Sequence, residues 1–264
     1  MTIQSNNLER PPSLAVMQPY FLPYLGYFQL MASVESFMIY PYLDFSRKSF
    51  VLRNCWVNEG RLVQFHLPVS KVPVGSSIRT LAFDGVESWK EHWFKKCQTQ
   101  YGRAPHFQET MALLEEFNWD ELLPVHKFLA DGLAKVALHL GISTDLYVPS
   151  EGPVQEVERK VRRIADPSHR RNARVTMLLH LSGTKAYVNA ESGRKLYKAE
   201  WFTEQAAELG FLRRRWDHCG TLSRERFSEA SILHLLMIYG REKVGEWIST
   251  SSNVFDVDWT TELL

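Results

Sequence analysis

The sequence has few of the residues that mark whole classes of protein. Its 264 residues include only three cysteines, Cys55, Cys97 and Cys219, at wide spacing and without a CxxC pair. An odd number in that arrangement argues against a disulfide framework and against a zinc site built from thiolates. We therefore expect a reducing compartment, the cytoplasm.

An excess of charge of one sign is also missing. Lys and Arg total 31 and Asp and Glu total 30, so the formal net charge is +1. No global field draws such a chain to nucleic acid or to an anionic membrane, and a polyanion would have to meet a local patch. Basic runs at 160–171 and 213–215 offer such patches. If the acyl donor is an aminoacyl-tRNA, these runs would bind its phosphates. Acidic residues around the first run favour the alternative, a solvated helix.

Long uninterrupted apolar runs are absent. The most apolar region, residues 14–42, is broken by prolines and polar residues, so we predict no membrane insertion. The opening residues lack the basic start and apolar stretch of a secretory signal. We expect residues 1–13 to be a disordered tail and residues 14–264 to form a single domain.

Fingerprints of cofactors and of common nucleophiles are missing too. The chain has no GxGxxG, no P-loop, no GxSxG and no HxxxH pair. We predict no bound cofactor and no metal site.

The patterning that is present predicts an α/β fold of Rossmann-like or nucleotidylyltransferase-like type. Residues 13–19 form a short apolar run stopped by proline, residues 24–34 have apolar residues at helical spacing, and a second apolar run begins at Ser36. This βαβ opening implies a parallel pair of strands. Segments 50–57 and 61–69 resemble a hairpin, so the sheet is predicted to be mixed and partly parallel.

The rest of the chain is predicted from helical spacing, proline and glycine positions and short apolar runs. A helical middle region is expected as an insertion at about 87–140. The further predicted elements are a strand at 185–189, a helix at 203–209, a strand at 210–216 and a buried helix at 230–240.

Three blocks of the sequence resemble the WbqC-like family. The first, AVMQPYFLPYLGYF at 15–28, matches the family opening Q-P-x-[YF]-x-P-[YW]-x-G-[YF]-F. The second, FMIYPYLDFSRKSFVLRNCW at 37–56, resembles a tyrosine followed by two aspartates, a glutamine-aromatic step, a basic pair, an aromatic and an N-R-N triplet. The third includes TKAYVNAESGRKLY at 184–197, similar to Y-[IL]-N-x-x-G-G-x-x-L-Y.

The chain departs from the family pattern at several positions. Pro41 and Tyr42 stand where the two aspartates usually do, Asp44 stands for the glutamine, and Leu52 replaces the first asparagine of the triplet. His234 stands where many members have aspartate. Acid, base or metal roles of the family aspartates are therefore not carried over to this chain.

The candidate binding residues follow from these blocks and from their position after predicted strands. Arginine grips phosphate or carboxylate through a planar fork and lysine acts as a point charge, so the basic group suits an anionic small molecule. The alternatives are a solvated charged strand and turns shaped by proline, glycine and asparagine. The predicted substrate-binding residues are Gln18, Tyr24, Arg47, Lys48, Arg53, Asn54, Tyr101, Asn189 and Tyr197.

His92 and Asp44 are the candidate catalytic bases. Histidine has an unperturbed pKa near neutrality, although a lone histidine on an aromatic helix is more often structural. Family members are encoded mainly in bacterial surface-polysaccharide and related biosynthetic gene clusters. The resemblance therefore implies a transferase that moves an acyl or aminoacyl group onto the amine of an activated substrate, plausibly a nucleotide-linked amino sugar. The alternatives are a non-catalytic binding or assembly protein working with other enzymes of the pathway, and a nucleotidyltransferase-like enzyme.

Overall fold

The computed structural model describes residues 11–214, 230–249 and 255–260. It contains a six-stranded sheet in the order β5-β2-β1-β6-β7-β8 and a separate two-stranded sheet, β3-β4. The strands are β1 Ser13–Met17, β2 Ser36–Ile39, β3 Arg53–Asn58, β4 Arg61–His66, β5 Asp145–Tyr147, β6 Ala186–Ala190, β7 Glu208–Arg214 and β8 Phe255–Trp259. Of the predicted tail at 1–13, residues 1–10 lie outside the described residues, and Ser13 already begins β1.

Eight α-helices connect and cover these strands within the described ranges. They are α1 Leu25–Ala32, α2 Val86–Tyr101, α3 Phe107–Glu115, α4 Val125–His139, α5 Glu151–Val161, α6 Pro167–Ser182, α7 Ala199–Thr203 and α8 Ile232–Ile248. Short 3₁₀ helices span Ile78–Thr80 and Glu191–Leu196. The α/β fold and its helical middle region are thus confirmed.

The predicted βαβ opening is present. β1 pairs with β2 in parallel, with Leu14 opposite Ser36 and Met17 opposite Ile39, and α1 makes the connection. The sheet is mixed, as expected, but through β8, which runs antiparallel to β7. The predicted hairpin forms its own small sheet instead of joining the large one.

Each face of the large sheet carries its own apolar core. On one face Leu14, Met38 and Tyr187 pack against α5, α6 and α7. On the other face Ala15 and Phe37 belong to a larger core with α1, α8 and the helical middle region. This burial on both faces is typical of parallel sheets and explains the continuous apolar runs of β1 and β2.

The topology places a set of loops at one end of the sheet. Because β1, β2, β5 and β6 are parallel neighbours, the segments that follow them leave from the same edge. Ligands of open α/β sheets bind outside this carboxyl edge. The segment after β2, residues 40–52, leads into the hairpin β3-β4. It carries Arg47 and Lys48, two of the three predicted basic residues.

Candidate functional site

A cavity of about 430 Å³ lies between the segment after β2 and the strand β4 with its following loop. We call it the arginine cavity. Its polar lining consists of Arg47, Ser49, Arg53, Gln64, His66, Ser70 and Asp84. Two of the predicted anion-binding residues therefore face one space, which is within the size range of small-molecule sites.

Arg53 has one donor that no acceptor in the described part of the chain satisfies. One NH2 group donates to the backbone carbonyl of Lys48, and the guanidinium lies over the ring of Phe50 with 5.1 Å to its centroid. Its Nε is buried and has no hydrogen-bond partner within the described part of the chain. A buried donor without an acceptor is costly. The contacts with Lys48 and Phe50 orient the guanidinium, and Arg53 lines the cavity, where forked donors suit an anionic ligand.

Arg47 and Lys48 add positive charge at the mouth of the cavity. Both side chains are exposed, and neither makes an ion pair with any residue that the structure describes. Arg47 lines the cavity itself, whereas Lys48 contributes its carbonyl to Arg53. Asp84 supplies a carboxylate of opposite sign to the same lining.

The hairpin that carries Arg53 is fixed by its turn and by a buried amide. Glu59 and Gly60 have φ of 46° and 73°, as a tight two-residue hairpin turn requires. Asn54, 5% exposed, donates through Nδ2 to the carbonyls of Phe21 and Leu22, at 3.2 and 2.5 Å. The predicted ligand contact of Asn54 remains untested, but its amide ties the hairpin to the turn after β1.

Two of the lining residues that the sequence analysis missed, Gln64 and His66, lie on β4. Arg53 is paired with His66 across the hairpin, and Cys55 with Gln64. Side chains of directly opposed residues share one face of a sheet, so the predicted hairpin register contained the signal that His66 and Gln64 accompany Arg53.

The turn after β1 borders this region through aromatic rings. The Tyr20 ring lies 6.4 Å from that of Phe50 and 5.5 Å from that of Tyr27, whose hydroxyl donates to the Gln18 carbonyl at 2.8 Å. Burial, with the neighbouring Tyr24, raises the pKa of Tyr20 to about 12. Gln18 and Tyr24 are half-buried here, and neither lines the arginine cavity.

Asn189 lies near the end of β6, Tyr197 follows the 3₁₀ helix Glu191–Leu196, and neither lines the arginine cavity. Asn189 accepts from the Ala190 N–H through Oδ1, and a Cβ on Gly193 would come within 2.6 Å of its Nδ2. Glycine at this position therefore makes room for the amide. The hydroxyls of Tyr187 and Tyr197 are 3.3 Å apart.

Tyr101 is buried and bonded to His234. The Tyr101 hydroxyl lies 2.9 Å from His234 Nδ1, and the two residues are 2% and 6% exposed. Burial lowers the pKa of His234 to about 4. The pair lies in the larger core between α2 and α8, so Tyr101 does not wall an open pocket as the sequence analysis expected.

Because His234 is buried with a lowered pKa, we expect the free energy of unfolding to decrease in acid. Because its folded-state pKa lies below the usual 6.5, the unfolded chain binds the proton first as the pH falls. The stability linked to His234 is present above pH 6.5 and is lost as the pH falls towards 4. We expect a loss of about 2 kcal/mol between pH 7 and pH 5 from this residue. Urea unfolding at both pH values measures it.

The matched variant is His234→Asn, which keeps a polar partner for Tyr101 and does not titrate. The wild-type protein is expected to lose about 2 kcal/mol more than the variant over the same pH interval. Equal losses in both proteins would mean that His234 is not the group that titrates.

The two candidate bases are placed differently. His92 is exposed on α2, whose buried residues are Val86, Trp93, Cys97 and Tyr101, and His92 lines none of the described cavities. Asp44 is exposed one residue before Phe45, which lines the arginine cavity, and its backbone forms a bridge with Ser77. Asp44 itself lines none of the described cavities, but its chain neighbour Phe45 does, whereas no chain neighbour of His92 does.

The described residues contain no group of His, Cys, Asp and Glu side chains that could hold a metal ion. Burial raises the pKa of Cys97 to about 12, so its thiol is protonated at neutral pH, and Cys219 lies outside the described residues.

No helix in the described part of the chain has the length and apolar character needed to cross a bilayer. Of the run at 213–215, Arg213 pairs with Asp256 at 2.8 Å.

Comparison with known proteins gives a family but no activity. A curated protein of Mycobacterium tuberculosis, named as uncharacterized protein Rv1507c, is 30% identical over 135 residues, which are 50% of this chain and 58% of the relative. No solved structure matches the chain. The model of the WbqC-like protein family matches residues 18–246, and the chain therefore belongs to the WbqC-like protein family.

Proposed function

We propose that this protein is a transferase that moves an acyl or aminoacyl group onto the amine of an anionic, activated substrate, plausibly a nucleotide-linked amino sugar. The arginine cavity supports this assignment best. Arg53 holds an unsatisfied buried donor there, Arg47 lines the same space without an ion-pair partner in the described chain, and Lys48 is adjacent. Such a set fits the oxygens of a diphosphate.

The transfer requires only bond exchange and one base. The amine nitrogen attacks the carbonyl carbon of the acyl donor, the new C–N bond forms, and the bond from that carbon to the leaving sulfur or oxygen breaks. The base takes the proton that the amine loses, and the leaving group takes up a proton. Asp44 is our candidate for the base, since it is exposed beside the cavity. No redox partner is needed, and the cysteine pattern supports a reaction in the cytoplasm.

The decisive experiment replaces Arg53 by alanine and measures nucleotide binding. With uridine diphosphate as the probe, removal of a charge-assisted, forked contact is expected to weaken binding by roughly 10- to 100-fold. Isothermal titration calorimetry gives the dissociation constants. Arg61→Ala in the same hairpin is the matched control, because Arg61 is exposed and does not line the cavity.

Several outcomes contradict the proposal. If uridine diphosphate and amino-sugar nucleotides leave the melting temperature unchanged at high concentration, the arginine cavity is not their site, because a ligand at a hundred times its dissociation constant stabilises by about 2.7 kcal/mol. If Arg53→Ala unfolds the protein, then Arg53 is a structural residue.

A non-catalytic assembly protein is the second candidate function, and one observation favours it. Where family members carry two aspartates, this chain has Pro41 and Tyr42, and the Tyr42 ring lies under the guanidinium of Arg79 at 4.9 Å. No carboxylate occupies those two positions. Binding of nucleotide sugars without turnover of any acyl donor would support this second function.

A further inference from the structure

A second cavity, of about 580 Å³, lies on the other side of the segment that follows β2. We call it the α5 cavity. It is bounded by Tyr42, by the 3₁₀ helix Ile78–Thr80 with Arg79, and by one face of α5. Tyr42 follows β2 and α5 follows β5, so this cavity also opens at the carboxyl edge of the sheet, where open α/β folds bind ligands.

The helix wall of this cavity is a single polar stripe. Glu151, Gln155, Glu158, Arg159 and Arg162 line it at the spacing of one helix face. From Glu151 to Arg162 the stripe extends about 16 Å. Its acidic residues lie towards the start and its arginines at the end.

Most of the charges in the lining are already compensated. Arg79 pairs with Glu151 at 2.7 Å, and Arg159 with Glu156 at 2.7 Å. Buried Glu158 accepts from Arg174 at 2.6 and 3.0 Å and from another buried side chain. The buried Glu158–Arg174 pair holds its part of the wall in place, and the two more exposed pairs offset the charges of Arg79 and Arg159.

Arg162 is different. Its exposed guanidinium makes neither an ion pair nor a hydrogen bond with the residues that the structure describes, although it lines the cavity. With the other charges paired, the lining carries one positive charge that has no partner in that part of the chain. A fixed polar wall with a free guanidinium at one end is suited to a phosphate group.

A thin partition separates the α5 cavity from the arginine cavity. Phe45 N–H donates to the Ser76 carbonyl at 2.7 Å, and Ile78 N–H donates to the Leu43 carbonyl at 3.0 Å. Tyr42 lines the α5 cavity and Phe45 the arginine cavity. Their Cα atoms are at most about 11 Å apart, because three residues of chain join them.

We propose that the α5 cavity binds the phosphate-bearing part of the second reactant, the acyl donor, through Arg162. The inference rests on the proposed function, in which the arginine cavity holds the acceptor. Two anionic reactants then approach from opposite sides of one partition. Their reacting ends meet beside Asp44, which is exposed on that partition.

The experiment compares Arg162→Ala with Arg163→Ala in the full chain. Arg163 is the next residue, equally charged and exposed, but it does not line the cavity. The probes are pyrophosphate, coenzyme A and uridine diphosphate, each titrated alone by calorimetry. We expect Arg162→Ala to weaken coenzyme A and pyrophosphate by roughly 10- to 100-fold, and Arg163→Ala to change them less than about threefold. Arg162→Lys keeps the charge and is expected to retain part of the affinity.

The variants of the two cavities separate this inference from the proposed function. Arg53→Ala is expected to weaken uridine diphosphate and to leave the Arg162-dependent binding of coenzyme A intact. Loss of coenzyme A binding in Arg53→Ala but not in Arg162→Ala would overturn the second site and leave the arginine cavity standing. Equal binding of both phosphate probes by wild type and Arg162→Ala, or no binding of either probe, would also overturn it. Arg162-dependent binding together with no uridine diphosphate binding would support the α5 cavity and contradict the proposed function.

Discussion

Replacement of Glu158 by alanine is expected to lower the free energy of unfolding by about 3–5 kcal/mol, because it leaves a charge without its partner in the interior. Glu158 is 8% exposed and joins three elements. Its Oε1 accepts from the Tyr40 hydroxyl at 2.5 Å, and the Arg174 guanidinium grips both carboxylate oxygens. Thus one side chain connects the end of β2, α5 and α6.

The pKa shifts of the two partners of Glu158 agree with this account. Burial and the hydrogen bond to Glu158 raise the pKa of Tyr40 well above its usual range, so its hydroxyl stays a donor. Burial alone would lower the pKa of Arg174, but its bonds to Glu158 outweigh that effect and raise it. Removal of the carboxylate therefore leaves the Tyr40 hydroxyl and the Arg174 guanidinium without their shared acceptor.

Glu156→Ala is the matched control for Glu158→Ala. Glu156 lies on the same helix and pairs with Arg159 and Lys160, but all three side chains are exposed. Exposed pairs contribute about 0–1 kcal/mol, so the control is expected to lose no more than that. Chemical denaturation at neutral pH measures both variants. Similar losses for the two variants would mean that the Tyr40–Glu158–Arg174 network does not stabilise the fold.

The sequence predicts the fold best where one local signal decides the structure. Proline and apolar spacing in residues 13–39 predict β1, α1 and β2, and the Asn58-Glu59-Gly60 turn predicts the hairpin. The pairing of whole elements is not a local property. For that reason the hairpin was assigned to the large sheet, whereas its strands form a separate two-stranded sheet.

A second error shows the same limit at the level of one turn. A helix was predicted at 203–209, but α7 ends at Thr203, Ala206 has φ of 50°, and Glu208 already begins β7. Ala and Glu favour helices intrinsically, but pairing of β7 with β6 overrides that preference. Tertiary pairing of this kind cannot be read from propensity.

The site could be predicted only in part, for a related reason. Arg47 and Arg53 were found because they belong to one sequence block, and they do line one cavity. The α5 cavity joins Tyr42, Arg79 and α5, which are far apart in sequence, so no motif signals it. Gln18 follows β1, Asn189 lies in β6 and Tyr197 follows the 3₁₀ helix after β6, and none of them lines either cavity.

Replacement of Asp44 by asparagine is expected to reduce acyl transfer by about 10²- to 10⁴-fold, the range that a positioned general base contributes. The change keeps the size of the side chain and its exposed place between the two cavities, so binding of uridine diphosphate and coenzyme A should change less than about threefold. His92→Gln is the control: His92 lies on α2, neither it nor its chain neighbours line either cavity, and the variant should keep wild-type turnover. Single-turnover rates at saturating concentrations of both reactants isolate the chemical step. A full rate in Asp44→Asn combined with a loss in His92→Gln would reverse the assignment of the base, and it would place the reaction on the outer face of α2 instead of on the partition.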